Sequence, residues 1–451
     1  MKKLKLLFLL LPALLAAQWL ETTINVGQGP LALGYNPADN KVYCANFYSN
    51  DITVINGATN QVITTIPVLS GPWTFTYNTL NNKVYCVNWG ACRVTIIDGA
   101  NNSVIANVLV GSVPSDLLYN SINNQIYCSN WGSNSISVID GATNRVVATI
   151  PVGDGPAAID YNPTTNKVYC TNEYSDDMKV IYGPTNQVIR TIQVGDAPWN
   201  LLYTPNNKIY VANHGSRNIS IFDAVTHSFL GRVPIGQVGI GYSTLTYNPI
   251  NNKVYCANAG PCGPYTDSTV TIIDGATNTI IANVIVGIGP REVFYNANTN
   301  NIYVANFHSK TVSVIDGITN QVKKTIAVDS GSLALAHNPI QHRIYVANFY
   351  DNTVSVIQDA NSNTDISESR MQNIKIFEIY PNPAKSFFVV RLPLSATASQ
   401  IKIFDISGKV VKKLKSLGVG ELRVPLKDIK AGIYFVQVDN VSGIKKLVIT
   451  K

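Results

Sequence analysis

From about residue 20 to residue 358 the chain runs in short apolar segments whose hydrophobic and polar positions alternate with a period of two. That is the period of a strand, in which successive side chains point to opposite faces. Residues 115–152 show the unit clearly. Segments 115–119, 125–130, 136–140 and 145–152 alternate in this way, with turns at 120–124 and 141–144. The Asp-Gly and Asn-Pro steps between segments have turn chemistry, because Gly tolerates positive φ and Pro presets φ near −65°. The pattern predicts four antiparallel strands per unit.

The unit recurs. An aliphatic residue followed by Tyr-x-x-Asn occurs at Tyr43, Tyr85, Tyr127, Tyr169, Tyr210, Tyr255, Tyr303 and Tyr345, at spacings of 42, 42, 42, 41, 45, 48 and 42. Each copy keeps its Asn, from Asn46 to Asn348. Four strands in this length match one β-propeller blade. Residues 21–26 resemble a fourth strand without a preceding unit, and the last unit lacks a fourth strand after 353–357. The N-terminal strand therefore completes the last blade and pairs edges that would otherwise stay open. The expected fold is all-β: an eight-bladed β-propeller over 18–358, with seven blades as the alternative. The repeated Asn is expected to cap the turn after the second strand.

The segments 209–213, 302–306 and 344–348 all read Ile-Tyr-Val-Ala-Asn. With the following Val-Ile-Asp-Gly and a fourth strand ending in Val-Gly, they resemble the YVTN-type β-propeller repeats of microbial surface proteins. The resemblance covers about 20–358. It implies the fold and says little about activity. Seven blades are commoner in that family, so eight is a departure.

Residues 359–373 are rich in Asp, Asn, Ser and Glu and have no apolar period, and they are expected to be a linker. Six alternating segments follow, at 387–392, 400–405, 410–414, 421–424, 433–438 and 444–449, which predicts a small Ig-like β-sandwich over 374–451. Tyr380-Pro381-Asn382-Pro383, Asp405-Ile406-Ser407-Gly408-Lys409, Gly432-Ile433-Tyr434 and the terminal Val448-Ile449-Thr450-Lys451 resemble the C-terminal sorting domain of the bacterial type IX secretion system. The resemblance implies that 374–451 engages the secretion machinery and that the protein is secreted or held at the outer surface of a Gram-negative bacterium. Residues 1–17, with Lys2, Lys3 and Lys5 before an apolar run and Ala16-Ala17, are expected to be a cleaved signal peptide, leaving no membrane span.

Division of the charge matters more than its total of +7. Residues 374–451 carry 14 basic and 5 acidic residues, whereas 18–373 carry 17 basic and 22 acidic. The main body is mildly acidic and lacks the basic patch that nucleic acid requires.

No catalytic motif, metal-ligand spacing or cofactor signature stands out, so none is expected. Cys44, Cys86, Cys128, Cys170 and Cys256 follow the repeat Tyr where other units carry Val211, Val304 or Val346, which suits core packing. Cys92 and Cys262 each lie six residues beyond a strand cysteine, so bridges Cys86–Cys92 and Cys256–Cys262 stay open. Trp89 and Trp131 follow the repeat Asn, and Trp73 and Trp199 follow the Pro at a blade junction. His214 holds the place of Trp89, and Arg291 that of Trp73. Both loop classes emerge on one side of a propeller, as do insertions between 236 and 247 and between 258 and 274. These six residues are the candidate ligand-binding set, for a glycan, peptide or surface protein. The competing expectations are a propeller enzyme (lyase, lactonase or quinoprotein-like oxidoreductase) and a structural coat component.

Overall fold

The computed structural model describes residues 18–236, 245–259, 267–359, 378–380, 384–391, 400–405, 409–415, 421–438 and 444–450. The expected signal peptide, most of the expected linker, much of both insertions, Pro381-Asn382-Pro383, Ile406-Ser407-Gly408 and Cys262 lie outside the described residues. The chain divides into two compact units between Asn361 and Ser362.

In the first unit the described residues form eight four-stranded antiparallel sheets, numbered here in chain order from strand Pro30–Asn36. Sheets 1 to 7 are each four consecutive strands. Sheet 8 joins Ser332–Asn338, Arg343–Asn348 and Thr353–Gln358 to the N-terminal strand Trp19–Asn25, whose Thr23 stands opposite Ser355. The first strands of neighbouring sheets stand side by side, and Pro30–Asn36 stands beside Ser332–Asn338, so the ring closes.

The Tyr-x-x-Asn repeat explains how the sheets adhere. Its second strand is buried on both faces, and alternation sends Tyr one way and the next residue the other. Tyr43 packs against Cys86 of the next sheet, Tyr85 against Cys128, Tyr210 against Cys256, and finally Tyr345 against Cys44. Each Tyr hydroxyl that is bonded reaches across to the neighbouring sheet's last turn, as Tyr43 does to Asn102 Oδ1 (3.0 Å) and Tyr345 to Asn60 Oδ1 (2.7 Å). Sheet 8 has no such turn, and Asp359 takes its place. It accepts from Tyr303 Oη, from Thr299 Oγ1 at 2.9 Å and from Asn296 Nδ2 at 2.5 Å. Asp359, the first residue of the expected linker, is thus buried in this unit.

The repeated Asn ties strands together more than it caps a turn. Asn130 Nδ2 donates to Ser137 Oγ on the third strand (3.0 Å), and its Oδ1 accepts from the Gly111 N–H before the first strand (3.1 Å). Alternation places Asn46 and Asn130 on the same strand face as Cys44 and Cys128, two residues earlier. Turn asparagines do a different job. Asn40, Asn50 and Asn60 all have φ between 51° and 61°, and the same turn positions recur around the ring. Asn tolerates this left-handed region better than most residues, which accounts for the Asn content.

In the second unit, strands Glu378–Tyr380, Phe387–Arg391 and Glu421–Pro425 form one sheet, and Val410–Lys415, Gln400–Phe404, Gly432–Val438 and Ile444–Ile449 form another. Both contribute to one core, with Phe388, Val390 and Val424 from the first and Ile401, Ile403, Val436 and Leu447 from the second. This is a small β-sandwich.

Candidate functional site

The inner strands surround a cavity of about 590 Å³, within the range of small-molecule sites. Trp73, Trp89, Trp131 and Trp199 all line it. Local structure explains how. Trp89 and Trp131 each open a single 3₁₀ turn after the buried Asn of the second strand. The Trp89 N–H donates to Gly71 C=O (2.8 Å) and the Trp131 N–H to Val113 C=O (2.9 Å), which pins each loop to the junction of its own sheet. Trp73 and Trp199 are the second residues of inner strands that begin at buried Pro72 and Pro198.

The aromatics both pack and face the cavity. Trp73 and Trp89 stack with centroids 6.3 Å apart and planes at 26°, and Phe47 of sheet 1 lies 5.8 Å from Trp73. Trp131 donates through Nε1 to Glu173 Oε2 (2.9 Å) and meets Tyr174 edge-on at 5.3 Å. Trp89 nevertheless remains 40% exposed, and Trp73, Trp131 and Trp199 are half-buried.

His214 and Arg291 are not brought into this set. Neither lines the cavity. Arg291 is buried, with its guanidinium 5.3 Å above the Phe307 ring. A cation stacked in this way is held by its own protein. Sharing a sequence position with Trp73 did not give it the same outlook.

Three residues missing from the candidate set line the cavity instead: Asp116, Asp160 and Glu292. Each accepts a backbone N–H from the inner strand of the next sheet. Asp116 Oδ2 accepts from Ile159 (3.0 Å), Asp160 Oδ2 from Tyr203 (2.7 Å) and Glu292 Oε2 from Leu335 (2.8 Å). Burial pushes the Asp116 carboxyl up to about 7, Asp160 to about 6 and Glu292 to about 8, and the adjacent Asp160 charge adds to the effect on Asp116. A signal for two of them existed. Two residues after the junction position the units carry Ala32, Thr74, Asp116, Ala158, Asn200, Glu292 and Ala334, so two carboxylates stand where small residues recur. No group of three or more His, Cys, Asp or Glu able to hold a metal ion occurs among the described residues.

The strand cysteines are free thiols. Cys86 is buried between sheets 1 and 2, opposite Thr95 in register, while Cys92 sits half-buried in a left-handed loop position with φ 53°. The two side chains belong to different environments, and no bridge joins them. Cys256 is likewise free and buried.

Residues 122–207 match the family of YNCE-like beta-propellers, and residues 378–450 match the secretion system C-terminal sorting domain. The chain is a β-propeller joined to a type IX sorting domain. Proteins with this tail are secreted by the type IX system to the cell surface or the extracellular space, and this sorted propeller is such a protein. No curated protein matches it in sequence. Among solved structures, the propeller is similar to Kuenenia stuttgartiensis hydrazine synthase (16% identity, 74% of this chain and 96% of that one, TM-score 0.53). It is also similar to Saccharomyces cerevisiae Sqt1 (9% identity, 75% and 98%, TM-score 0.64). A third similar structure is dihydro-heme d1 dehydrogenase NirN (12% identity, 89% and 79%, TM-score 0.58). At these identities the likeness is one of fold. No helix among the described residues is long and apolar enough to cross a membrane.

Proposed function

We propose that this secreted propeller is a binding protein whose site is the tryptophan-lined mouth of the central cavity. The observation that carries the reading is the convergence of Trp73, Trp89, Trp131 and Trp199, from three different sheets, on one cavity. Partly exposed indole faces give large stacking area to a sugar ring or a peptide side chain. Trp89 keeps 40% of its surface exposed although it stacks on Trp73, which leaves indole area for a ligand. The test is a glycan and peptide array probed with residues 18–361, which keep Asp359, wild type against the Trp89→Ala/Trp131→Ala double variant. Binding by the wild type and its loss in a double variant with an unchanged melting temperature is the expected result. A variant that binds as well as the wild type overturns the reading.

The second reading is an enzyme. Asp116 and Glu292, raised to about 7 and 8, have the protonation behaviour of general acids at neutral pH. Two of the similar folds belong, by name, to a synthase and a dehydrogenase. Against it, both Asp116 oxygens already accept backbone N–H groups, from Leu117 and Ile159. Turnover of any array ligand, abolished by Asp116→Asn with binding intact, would favour the enzyme.

A further inference from the structure

The cavity carries acids with no base to match. Asp116, Asp160 and Glu292 line it, and no Lys, Arg or His does so among the described residues. The ion pairs among the described residues are Lys179–Asp177 and Arg343–Glu21, neither of which involves these three. Glu292 is only 9% exposed, and its Oε1 has no hydrogen bond among the described residues. A carboxylate accepts about four hydrogen bonds, so Asp116 and Asp160, with one backbone N–H on each oxygen, also keep unused acceptor capacity. A buried carboxylate is expensive to keep charged without a partner. Desolvation raises all three carboxyls, and a cation placed beside them would favour their charged form.

The aromatics flank Asp116 and Asp160 along one arc, and Glu292 of sheet 7 lies outside it. Trp73 and Trp89 belong to sheet 2, Trp131 and Asp116 to sheet 3, Asp160 to sheet 4 and Trp199 to sheet 5. Indole faces attract cations through the ring quadrupole, and most strongly when the cation is desolvated. We propose that the cavity takes an organic cation, a primary ammonium on an alkyl chain, with the ammonium against Asp116 and Asp160 and the chain between the flanking tryptophans. This rests on the binding reading above and names the chemistry of its ligand. A metal ion fits the site less well, because the carboxylates come from separate sheets and no three metal-ligating groups converge among the described residues.

The test uses the mature chain, with tryptophan fluorescence and calorimetry as readouts. The probes are hexylammonium, its neutral match hexanol and its anionic match hexanoate. Hexylammonium is expected to bind at least tenfold more tightly than hexanol, with hexanoate weakest. Asp116→Asn and Asp160→Asn should each cost the ammonium about tenfold while leaving hexanol unchanged. A doubly blocked lysyl tripeptide and a free alkyl diamine then distinguish a peptide from a small amine as the source. The charge series on the wild type needs no variant to fold. If hexanol binds as tightly as hexylammonium, the cation inference fails and the tryptophan site survives. If Trp89→Ala/Trp131→Ala leaves every array ligand's binding intact, the binding reading itself fails.

Discussion

Gln18 Nε2 donates a hydrogen bond to Asp359 Oδ1 at 3.2 Å, joining the first described residue of the propeller to its last. The pair lies beside the edge where strand Trp19–Asn25 completes sheet 8. Asp359 also accepts from Asn296, Thr299 and Tyr303 of sheet 7, so one carboxylate secures both the ring closure and the adjoining sheet. Replacement by Ala leaves several buried donors unpaired and should cost on the order of 3 kcal/mol. Removing residues 21–26 should be worse, because it exposes the edge of strand Thr353–Gln358. Chemical denaturation and light scattering check both. An unchanged midpoint in the deletion would sink the closure mechanism.

Deleting 374–451 should leave the propeller folded and stop export. The second unit has its own core, built around Phe388, Val436 and Leu447, and a domain with its own core can fold alone. Fractionation of cells expressing the truncated chain should find a protease-resistant propeller in the periplasm. Normal arrival at the surface would refute the sorting role of the tail.

Stability should fall as the pH rises from 6.5 to 8.5. Asp116 and Glu292 have folded pKa values of about 7 and 8, against roughly 4 for unfolded carboxyls. In this interval the folded state binds more protons than the unfolded state, so each unit of pH costs stability until the folded group ionises. His227 and His337, lowered to about 4 by burial, oppose the trend only near pH 6.5, where unfolded imidazoles are still partly protonated. Asp116→Asn should flatten the slope of melting temperature against pH. A wild-type midpoint that holds or rises across the interval contradicts the burial of these carboxyls.

The native protein should be nearly inert to thiol reagents. Cys44, Cys86, Cys128 and Cys170 are completely buried, and burial pushes their thiols well up, which suppresses the reactive thiolate. Mass spectrometry after brief alkylation should show label at Cys92 but none at these four, and label at all of them after unfolding. An unlabelled Cys92 whose mass is consistent with a bond to Cys86 would restore the disulfide.

The repeat, the strand count, the closing N-terminal strand and the sorting sandwich were all legible in the sequence. They rest on alternation and turn chemistry, which act over a few residues. The four tryptophans were picked out in the sequence as loop residues on one face, but Trp73 and Trp199 lie in inner strands, and their shared cavity was not legible. The sequence could not tell that Arg291 would be buried over Phe307 while Trp73, at the same repeat position, would face the cavity. Nor could it show Asp116, Asp160 and Glu292 around one space, because they lie in different repeats and no local spacing links them. Each repeat specifies its own sheet by nearest-neighbour rules, whereas the cavity exists only once the ring has closed, and only then do desolvation and facing charges decide what each inner side chain can do.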